Sequence, residues 1–417
     1  MDLLSTALSQ VDGAHGRLIV RGESIDDLAR DAGYERMAAF LWNGLSGEVE
    51  TEAGIRAALG AARVAAARLV APVLRPAAAL PPINGLRLCL AALPDEAALP
   101  DEAALPDEAA LPDEAALPDE AALPDGAALP DEAALPDEAA LPATRRRAAG
   151  PPPGQPAPRP RIPAHYLVTA AVPVILAGSA ALRRGLAPPA PDPALGQVAD
   201  FLRMIHGAPA APEIVRALET YLVTVAEHGL NASTYAARVI ASTSAGMVAA
   251  VVGAACALKG PLHGGAPGPV LDMLDAIATP SNARSWTEAE LAAGRRIMGF
   301  GHRIYRVRDP RADILQGAVM RLGDDRGRLA FARAAEAEIA AVLARRKPDR
   351  ALPTNVEFYT AVLLEAVGLD RDMFTPVFAL GRMLGWTAHV FEQVATGRLI
   401  RPESAYVGPQ AAATVGR

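Results

Sequence analysis

The sequence predicts a mainly α-helical protein. Of its 417 residues, 51% are hydrophobic and only 4% are aromatic, and alanine recurs throughout the chain. Alanine has the highest intrinsic helix propensity, so this composition favours helices. The segment from His165 almost to the end of the chain is expected to be helical. The length suffices for two ordinary domains or one large one.

The first 80 residues also predict folded elements. The stretch HGRLIVRGESI alternates between apolar and polar residues, which indicates a short strand or hairpin. The stretch SIDDLARDAGYERMAAFLWNGL has helical spacing, with Ser24 as the N-cap and Asp27 three residues on. Residues 52–75 predict another helix. We therefore expect a small β element followed by two helices.

The two cysteines and the N-terminus bear on the compartment. Cys89 and Cys256 lie far apart and have neither metal-binding nor redox spacing, so no disulfide framework is expected. The residues MDLLSTALSQVDG lack a basic region and a long apolar stretch, so no secretion signal is predicted. We expect a protein of the reducing cytoplasm.

A six-residue repeat interrupts the chain. LPDEAA recurs through residues 93–142, and a segment rich in proline and arginine follows it. A proline every six residues prevents one continuous α-helix. We predict a low-complexity insertion over residues 93–162 that is disordered or loosely turned. A partner-binding arm is the alternative.

The repeat also dominates the charge of the chain. It carries eight Asp and seven Glu, whereas the whole protein has a net charge of −7. The rest of the chain is therefore mildly basic, which suits an anionic small-molecule ligand. This charge is too weak and too scattered to indicate a nucleic-acid partner.

Two apolar stretches raise the question of a membrane span. Residues 167–182 are few for a span and include Pro173. Residues 239–258 have the nominal length of a transmembrane helix, but they consist mainly of Ala, Gly, Ser and Val. No aromatic belt or basic flank marks a membrane interface. We expect no membrane contact, and we predict that residues 239–258 form a central buried helix.

Three of the seven histidines lie in polar stretches that contain Gly or Asn. His228 lies in AEHGLNAST, His263 in KGPLHGGAPG and His302 in GFGHR. Small neighbours at predicted helix edges allow a ligand to approach the backbone. A single histidine is more often structural, but these three together indicate a site. Four arginines follow His302 within GFGHRIYRVRDPR, so the ligand is expected to be an anion.

Several catalytic and cofactor motifs are missing from the sequence. It contains no HExxH motif, no Cys/His zinc spacing, no GxSxG elbow and no GxxxxGK[ST] phosphate loop. GFG is too short for a dinucleotide fingerprint. We therefore expect neither a metal nor a bound cofactor.

Three further charged residues are candidates. Glu357 lies at the start of a predicted helix, where a capping or helix-dipole role is the alternative. Arg382 lies in an apolar helix, where a buried guanidinium needs an anionic partner. Arg401 lies near the C-terminus, and a surface charge is the alternative there.

These segments together resemble the citrate synthase family. GFGHRIYRVRDPR is similar to the family signature of Gly, an aromatic residue, Gly and His, followed by a basic residue and Asp-Pro-Arg. GPLHGGA, AEHGLNAST, PTNVEFY, GRMLGWTAH and IRPESAYVGP resemble further family segments in the same order, as GRLIVRGESIDDLA and FLWNG resemble its opening. The resemblance covers roughly residues 1–90 and 163–410 and leaves the repeat uncovered.

The resemblance implies a two-domain helical fold. The large domain would comprise residues 1–92, 163–263 and 371–417, and the small mobile domain residues 264–370. Closure of the small domain over oxaloacetate would exclude water and create the acyl-CoA site. Without the repeat, the chain has about the length of the compact, dimeric members, and a homodimer is expected.

The resemblance also implies a reaction and its catalytic residues. The family joins acetyl-CoA to oxaloacetate and hydrolyses the citryl thioester. Glu357 would be the base that removes a methyl proton, and His263 would donate to the thioester carbonyl. His302 would hydrogen-bond the oxaloacetate carbonyl and protonate the alkoxide.

Substrate anchoring is implied in the same way. His228, Arg311 and Arg382 would hold oxaloacetate within one subunit, and Arg401 would reach in from the partner subunit, because guanidinium forks suit its two carboxylates. The residues assigned to CoA are Ile297, Met298, Gly299, Phe300, Gly301, Arg306 and Lys347.

Two departures from the family pattern leave alternatives open. The base is usually Asp, and the extra methylene of Glu357 moves the carboxylate by about 1 Å. Pro267 stands close to His263 where most members have Asn. Acetyl-CoA and propionyl-CoA (a methylcitrate synthase) both stay open, since one methyl group is worth only about 1–3 kcal/mol. A non-catalytic paralogue that binds oxaloacetate or CoA is the third hypothesis.

Overall fold

A computed structural model describes residues 4–31, 33–47, 49–98, 161–265, 267–323 and 327–408. These residues are mainly helical, which confirms the predicted fold class. The described residues before Ala98 and from Arg161 onward belong to one compact unit. The disorder predicted for the repeat falls almost entirely on residues 99–160, which lie outside the described residues. The boundaries of the small domain stay a prediction.

The described residues contain five short strands and fifteen α-helices. The strands are β1 (Ser9–Asp12), β2 (Arg17–Val20), β3 (Glu23–Ser24), β4 (Glu96–Ala98) and β5 (Arg161–Pro163). The helices are α1 (Ile25–Arg30), α2 (Tyr34–Trp42), α3 (Glu52–Ala78), α4 (Pro82–Ala91), α5 (Ala164–Arg183), α6 (Gln197–His206), α7 (Pro212–Ala226), α8 (Ala232–Ala241), α9 (Met247–Leu258), α10 (Pro267–Ile277), α11 (Ala283–Ala292), α12 (Pro310–Leu322), α13 (Arg328–Arg346), α14 (Val356–Ala366) and α15 (Phe374–Thr396).

The predicted N-terminal β element is confirmed. β1 pairs antiparallel with β2, with Ser9 opposite Val20, and β3 extends the sheet with Ser24 opposite Ile19. Leu18 and Val20 are buried, as the alternation of HGRLIVRGESI requires. β4 and β5 form a separate two-stranded sheet.

The single helix predicted after Ser24 is wrong, because the chain forms two helices there. Ser24 is the N-cap of α1, and its Oγ accepts a hydrogen bond from Asp26 N at 3.1 Å. α1 ends at Arg30, and Gly33 then begins α2 from an extended conformation. Glycine disfavours a helix interior, and the backbone breaks at Gly33. The helical spacing of apolar residues continues across this break, so the spacing alone predicts one helix.

Helix α5 lies at the centre of the core. It packs against α3, α4, α6 and α15, and its residues from His165 to Ala181 are buried. By length and composition alone, α3 and α5 are the described helices that are apolar enough to span a membrane. The apolar window of α5 is 89% buried inside the protein and that of α3 is 44% buried. Such burial is typical of a helix packed within a fold.

Residues 239–258 do not form the single helix that their apolar run predicts. α8 ends at Ala241 and α9 begins at Met247. Between them, Ser244 (φ 63°) and Gly246 (φ 91°) have positive φ angles, which break a right-handed helix. Asp95 lies against the break, and its Oδ1 accepts a hydrogen bond from Val248 N at 3.0 Å. The apolar pattern does not register this break because buried helices lie on both sides of it.

The packing of α7 brings several helix ends together. α7 contacts α12, α14 and α15. His228 follows α7, and Glu357 lies in the first turn of α14. Arg311 lies in the first turn of α12, and Arg382 lies on α15. The fold therefore gathers these side chains from four separate stretches of sequence.

Candidate active site

The loop that carries His302 is fixed against the start of α14. Gly301 N donates to Pro353 O at 2.7 Å, and Asn355 N donates to Gly299 O at 2.9 Å. Gly299 (φ 79°) must be a glycine for two reasons. Its φ is left-handed, and a Cβ would lie 3.0 Å from the Phe358 side chain. This close approach holds the His302 loop beside the helix that carries Glu357.

Two backbone amides fix the proton of His302. Ile304 N and Tyr305 N both donate to His302 Nδ1 at 3.0 Å. Nδ1 is therefore an acceptor, and the neutral ring carries its proton on Nε2. Burial lowers the pKa of His302 to about 4, helped by the charge of Arg311 and opposed by Asp309. At neutral pH, His302 is thus an uncharged hydrogen-bond donor.

His228 lies directly beside His302. The centres of the two rings are 5.7 Å apart, and His228 Nε2 lies 3.2 Å from the Tyr305 hydroxyl. Burial lowers the pKa of His228 well below its usual range, and the charges of Arg311 and Arg382 lower it further. The two histidines are therefore an uncharged polar pair, and the charge of Arg311 acts on both of them.

His263 follows α9 on a turn that also confirms the predicted end of that helix. His263 N donates to Gly260 O at 2.9 Å. The ring Nε2 lies 2.8 Å from Ser233 Oγ, which also accepts a hydrogen bond from Trp386 Nε1 at 3.2 Å. Burial lowers the pKa of His263 to about 4, and the charge of Arg382 adds to this effect. This histidine is also neutral at neutral pH.

Arg311 is held in a fork by Asp309. Its Nε donates to Asp309 Oδ1 at 3.0 Å and its second terminal nitrogen to Oδ2 at 2.8 Å. Asp309 is also the N-cap of α12, and its Oδ2 accepts from Val356 N at 3.2 Å. One buried carboxylate therefore fixes both the guanidinium of Arg311 and the start of the helix that carries Glu357.

Arg382 is buried with its hydrogen bonds incomplete. Its Nε donates to Val225 O at 2.7 Å, and its guanidinium lies 4.8 Å from the centre of the Phe378 ring. NH1 has no hydrogen-bond partner among the described residues. Burial lowers the pKa of Arg382 to about 10, although the charge of Glu227 opposes this. A bound anion would supply the missing partner.

Glu357 has the chemistry of a base near neutrality. Asn355 Oδ1 accepts a hydrogen bond from Glu357 N at 3.0 Å, so Asn355 is the cap of the helix. The Glu357 side chain is therefore not needed as a cap. Burial raises its pKa to about 7, and Asp309 raises it further, while Arg311 and Arg382 lower it.

The remaining predicted residues lie apart from this cluster. Arg401 follows α15 with an exposed side chain, and Arg306 and Lys347 are exposed as well. Ile297 and Phe300 are buried, Gly299 is buried, and Met298 and Gly301 are partly exposed. Among the described residues, Arg401 makes none of the contacts that join the histidines, Glu357, Arg311 and Arg382.

Sequence reasoning missed several residues of the cluster. Asp309 fixes Arg311, Ser233 contacts His263, and Tyr305 contacts His228. The Asp-Pro pair before α12 is a helix N-terminus signal that points to Asp309. Ser233 and Tyr305 carry no comparable local signal. Among the described residues, no group of three or more His, Cys, Asp or Glu could hold a metal ion.

A protein-family model matches most of the chain. The model described as "Citrate synthase, C-terminal domain" matches residues 1–403.

Curated relatives match the chain over part of their length. The "Putative citrate synthase 2" of Mycobacterium tuberculosis is 47% identical over 211 residues, 51% of this chain and 56% of the relative. The 2-methylcitrate synthase of the same organism is 43% identical over 241 residues, 57% and 60% respectively. Citrate synthase 2 of Bacillus subtilis is 40% identical over 240 residues, 58% and 63%. The matches span less than two thirds of these relatives.

Solved structures match the fold. The citrate synthase of Thermotoga maritima has a TM-score of 0.72 at 28% identity, covering 100% of this chain and 96% of that chain. That of Thermoplasma acidophilum, solved as a ternary complex with carboxymethyl coenzyme A and oxaloacetate, has a TM-score of 0.74 at 22% identity, covering 100% and 96%, a likeness of fold. With the family model matching residues 1–403, the chain belongs to the citrate synthase family.

Proposed function

We propose that this protein condenses an acyl-CoA with oxaloacetate and hydrolyses the citryl thioester to release CoA. The carrying observation is the packing of α7 against α12, α14 and α15, which gathers Glu357, the His228–His302 pair with ring centres 5.7 Å apart, and two buried arginines. Burial raises the pKa of Glu357 to about 7. The reaction needs a base, donors for two carbonyl oxygens, and cations for two carboxylates. Family membership supports the same reaction.

Glu357 is the base in this proposal. It takes a proton from the carbon next to the thioester carbonyl, and the electron pair moves onto the carbonyl oxygen. A carboxyl group whose pKa is about 7 is well matched to proton transfer at neutral pH. The charges of Arg311 and Arg382 keep part of the Glu357 population ionised despite burial.

His263 is the donor to the thioester oxygen. The Ser233 hydroxyl lies 2.8 Å from both Asn231 Oδ1, to which it donates, and His263 Nε2. When it turns to donate to His263 Nε2, the ring carries its proton on Nδ1 and offers that proton to the enol oxygen. Because its pKa is lowered to about 4, the ring remains neutral. A neutral donor stabilises the enol oxygen without a full charge in the site.

His302 is the donor to the keto oxygen of oxaloacetate. Its Nε2–H is fixed by the two amides that bind Nδ1. The enol carbon bonds to the keto carbon, and the Nε2 proton moves to the new alkoxide. Water then attacks the thioester carbonyl, and CoA leaves as the thiol. The attacking water returns a proton to His302, the CoA thiolate takes the proton that Glu357 gained, and the new carboxylic acid loses its proton to solvent.

Arg311, Arg382 and His228 hold oxaloacetate in this proposal. The unpartnered NH1 of Arg382 gains a carboxylate, which offsets the desolvation of a buried charge. Arg401 completes the site of the partner subunit in a homodimer, which accounts for its exposure here. The CoA phosphates lie near Arg306, Lys347 and the backbone of residues 297–301.

Acetyl-CoA is the first proposed acyl donor and propionyl-CoA the second. Relatives named putative citrate synthase 2 and 2-methylcitrate synthase are similarly close, at 47% and 43% identity. A pocket separates two thioesters that differ by one methyl group by about 10- to 200-fold.

Cys89 and Cys256 are both free, which supports the cytoplasmic location that we include in the proposal.

Thiol release by the purified protein tests the proposal. We expect acyl-CoA to release CoA only when oxaloacetate is present, and kcat/KM compared between acetyl-CoA and propionyl-CoA names the substrate. Glu357→Gln is expected to lower kcat about 10²- to 10⁴-fold, because a general base is lost. Folded protein without turnover of either thioester would favour a non-catalytic paralogue. A fully active Glu357→Gln variant would exclude Glu357 as the base.

A further inference from the structure

A buried polar chain starts beside the oxaloacetate site. Glu227 follows α7, directly before His228, and is fully buried. Its Oε1 accepts hydrogen bonds from Ser9 Oγ and Gly229 N, both at 2.7 Å, and lies 3.0 Å from His389 Nε2. The chain therefore begins at the backbone that positions His228.

The next link passes through His389. Arg238 NH1 lies 3.2 Å from His389 Nδ1. A guanidinium only donates, so Nδ1 accepts, and the ring donates to Glu227 from Nε2. Both ring nitrogens of His389 are thus used within the protein, which distinguishes it from the histidines of the site.

Arg238 connects His389 to Gln393. Arg238 is 1% exposed, and its Nε donates to Gln393 Oε1 at 2.9 Å. Gln393 is also 1% exposed, and its Nε2 donates to the carbonyl of Arg398 at 2.8 Å. These two contacts fix the amide orientation, with the oxygen towards the guanidinium and the nitrogen towards the carbonyl.

The Arg398 carbonyl belongs to the segment that leads to Arg401. α15 ends at Thr396, and Gly397 turns the chain with a left-handed φ of 63°. Ile400 N then donates to Ser242 Oγ at 3.1 Å. The side chains of residues 398, 399 and 401 are exposed. Hydrogen bonds from the backbone of this segment to the side chains of Gln393 and Ser242 therefore hold it.

We propose that Gln393 is a positioning residue that holds Arg401 in place for the oxaloacetate site of the partner subunit. The inference rests on the proposed function, in which Arg401 binds the partner subunit's oxaloacetate. Without the Gln393 donor, only the hydrogen bond between Ile400 N and Ser242 Oγ still holds residues 398–401. Ordering Arg401 when the substrate binds would then cost more conformational entropy. Because Gln393 acts through Arg401, its effect belongs to the other subunit's site.

The variant Gln393→Glu removes the hydrogen bond to the Arg398 carbonyl and keeps the hydrogen bond from Arg238. A glutamate side chain retains the acceptor for Arg238 Nε but has no donor for the Arg398 carbonyl. Glu392→Gln is the matched control, because Glu392 contacts Arg238, His389 and Ala7 N, and no hydrogen bond or ion pair joins its side chain to residues 398–401 among the described residues.

Hydrogen exchange tests whether Gln393 holds the segment, without any need for activity. We expect the Ile400 amide of the Gln393→Glu variant to exchange about 5-fold faster than in the unmodified protein. The Glu392→Gln control should exchange at the unmodified rate. Unchanged exchange in Gln393→Glu, or equal acceleration in the control, would overturn the proposal.

Mixed dimers test which subunit's site depends on Gln393. One chain carries His302→Ala and the other is unmodified, so the single working site uses Arg401 of the His302→Ala chain. Gln393→Glu on the His302→Ala chain should raise the KM for oxaloacetate about 5- to 10-fold. On the other chain, Gln393→Glu should change that KM by less than about 2-fold. The KM for the thioester should stay constant in both dimers.

The outcomes of this test are distinct. Equal effects from the two placements would indicate a general structural role and overturn the proposal, as would a reversed effect or none. A reference dimer without oxaloacetate-dependent turnover would overturn the proposed function and, with it, the role of Arg401 in the partner's site. The exchange result would still decide whether Gln393 holds the segment.

Discussion

Arg63 and Arg382 are both buried on core helices, yet they use their hydrogen-bond donors differently. In α3, Arg63 donates to Asp200 from Nε at 2.8 Å, to Gln197 from NH1 at 2.9 Å, and to two backbone carbonyls from NH2. In α15, Arg382 donates to Val225 O from Nε, and its NH1 has no partner among the described residues. All three guanidinium nitrogens of Arg63 donate hydrogen bonds within the protein, whereas NH1 of Arg382 donates none among the described residues.

This difference separates an arginine whose three guanidinium nitrogens all donate within the protein from one that has a buried nitrogen without a partner among the described residues. A buried charge is tolerable when surrounding groups satisfy it, as they do for Arg63. Leaving a buried donor unsatisfied costs about 1–3 kcal/mol. In Arg382 that cost is retained, and in the proposed function a carboxylate of oxaloacetate would relieve it. Variants at both arginines test this comparison.

Arg382→Met is expected to have the largest effect. Removing one partner of a buried, charged hydrogen bond costs about 2–5 kcal/mol, so kcat/KM for oxaloacetate should fall about 10³-fold. The free energy of unfolding should stay constant or rise, because a buried and incompletely paired charge is removed. Steady-state kinetics and urea unfolding measure the two quantities. A large loss of stability would show that Arg382 is structural and would break the comparison.

Arg63→Met should show the reverse pattern. Asp200 would remain buried without this arginine, so the free energy of unfolding should fall by about 3–5 kcal/mol. Folded protein at low temperature should keep the unmodified KM for oxaloacetate. Thermal unfolding and kinetics on the same preparation provide the check. A raised KM in fully folded protein would contradict the structural assignment.

His165 sets a limit to the comparison. Its Nε2 has no partner among the described residues, but the ring packs against Trp42, Tyr166 and Phe391 rather than facing the cluster. Burial lowers its pKa from 6.5 to about 4. The folded state therefore binds fewer protons than the unfolded state between these values, and stability is lost as the pH falls below about 6.5.

His165→Phe should remove this acid sensitivity. At pH 5 the free energy of unfolding of the variant should exceed that of the unmodified protein by about 2 kcal/mol more than it does at pH 7. Turnover at pH 7 should be unchanged. Urea unfolding at both pH values gives the difference. Loss of turnover would show that His165 contributes to the candidate active site, although its ring packs against Trp42, Tyr166 and Phe391.

The pH dependence of turnover tests Glu357 without any substitution. Because its pKa is raised to about 7, kcat/KM for the thioester should fall about tenfold for each pH unit below 7. The pKa values of His263 and His302, both about 4, place their titration below this range. A profile that stays flat from pH 5 to 8 would contradict Glu357 as the base.

Local sequence signals account for much of this site. Gly299 and Gly301 around His302, and Pro261 with Gly264-Gly265 around His263, indicate loops, and Glu357 lies at the start of a predicted helix. These signals depend on a few neighbouring residues, so they are visible without a structure. The helical fold class follows similarly from composition, because helix propensity is a local property.

Long-range relations were beyond the sequence. Which donors of Arg382 are used depends on the carbonyl of Val225, a residue far away in the sequence. The raised pKa of Glu357 depends on its burial in the folded protein. The break between α8 and α9 was missed because Asp95, which caps α9, precedes it by about 150 residues. Periodicity reports which faces are apolar, but not where a distant side chain interrupts a helix.

The docked start of the repeat has a genetic consequence. Leu93 is buried and Asp95 caps α9, so the first LPDEAA unit belongs to the folded body. Every in-frame loss or gain of whole LPDEAA units leaves Leu-Pro-Asp directly after Ala92. A chain with more or fewer whole units would therefore keep the same cap on α9.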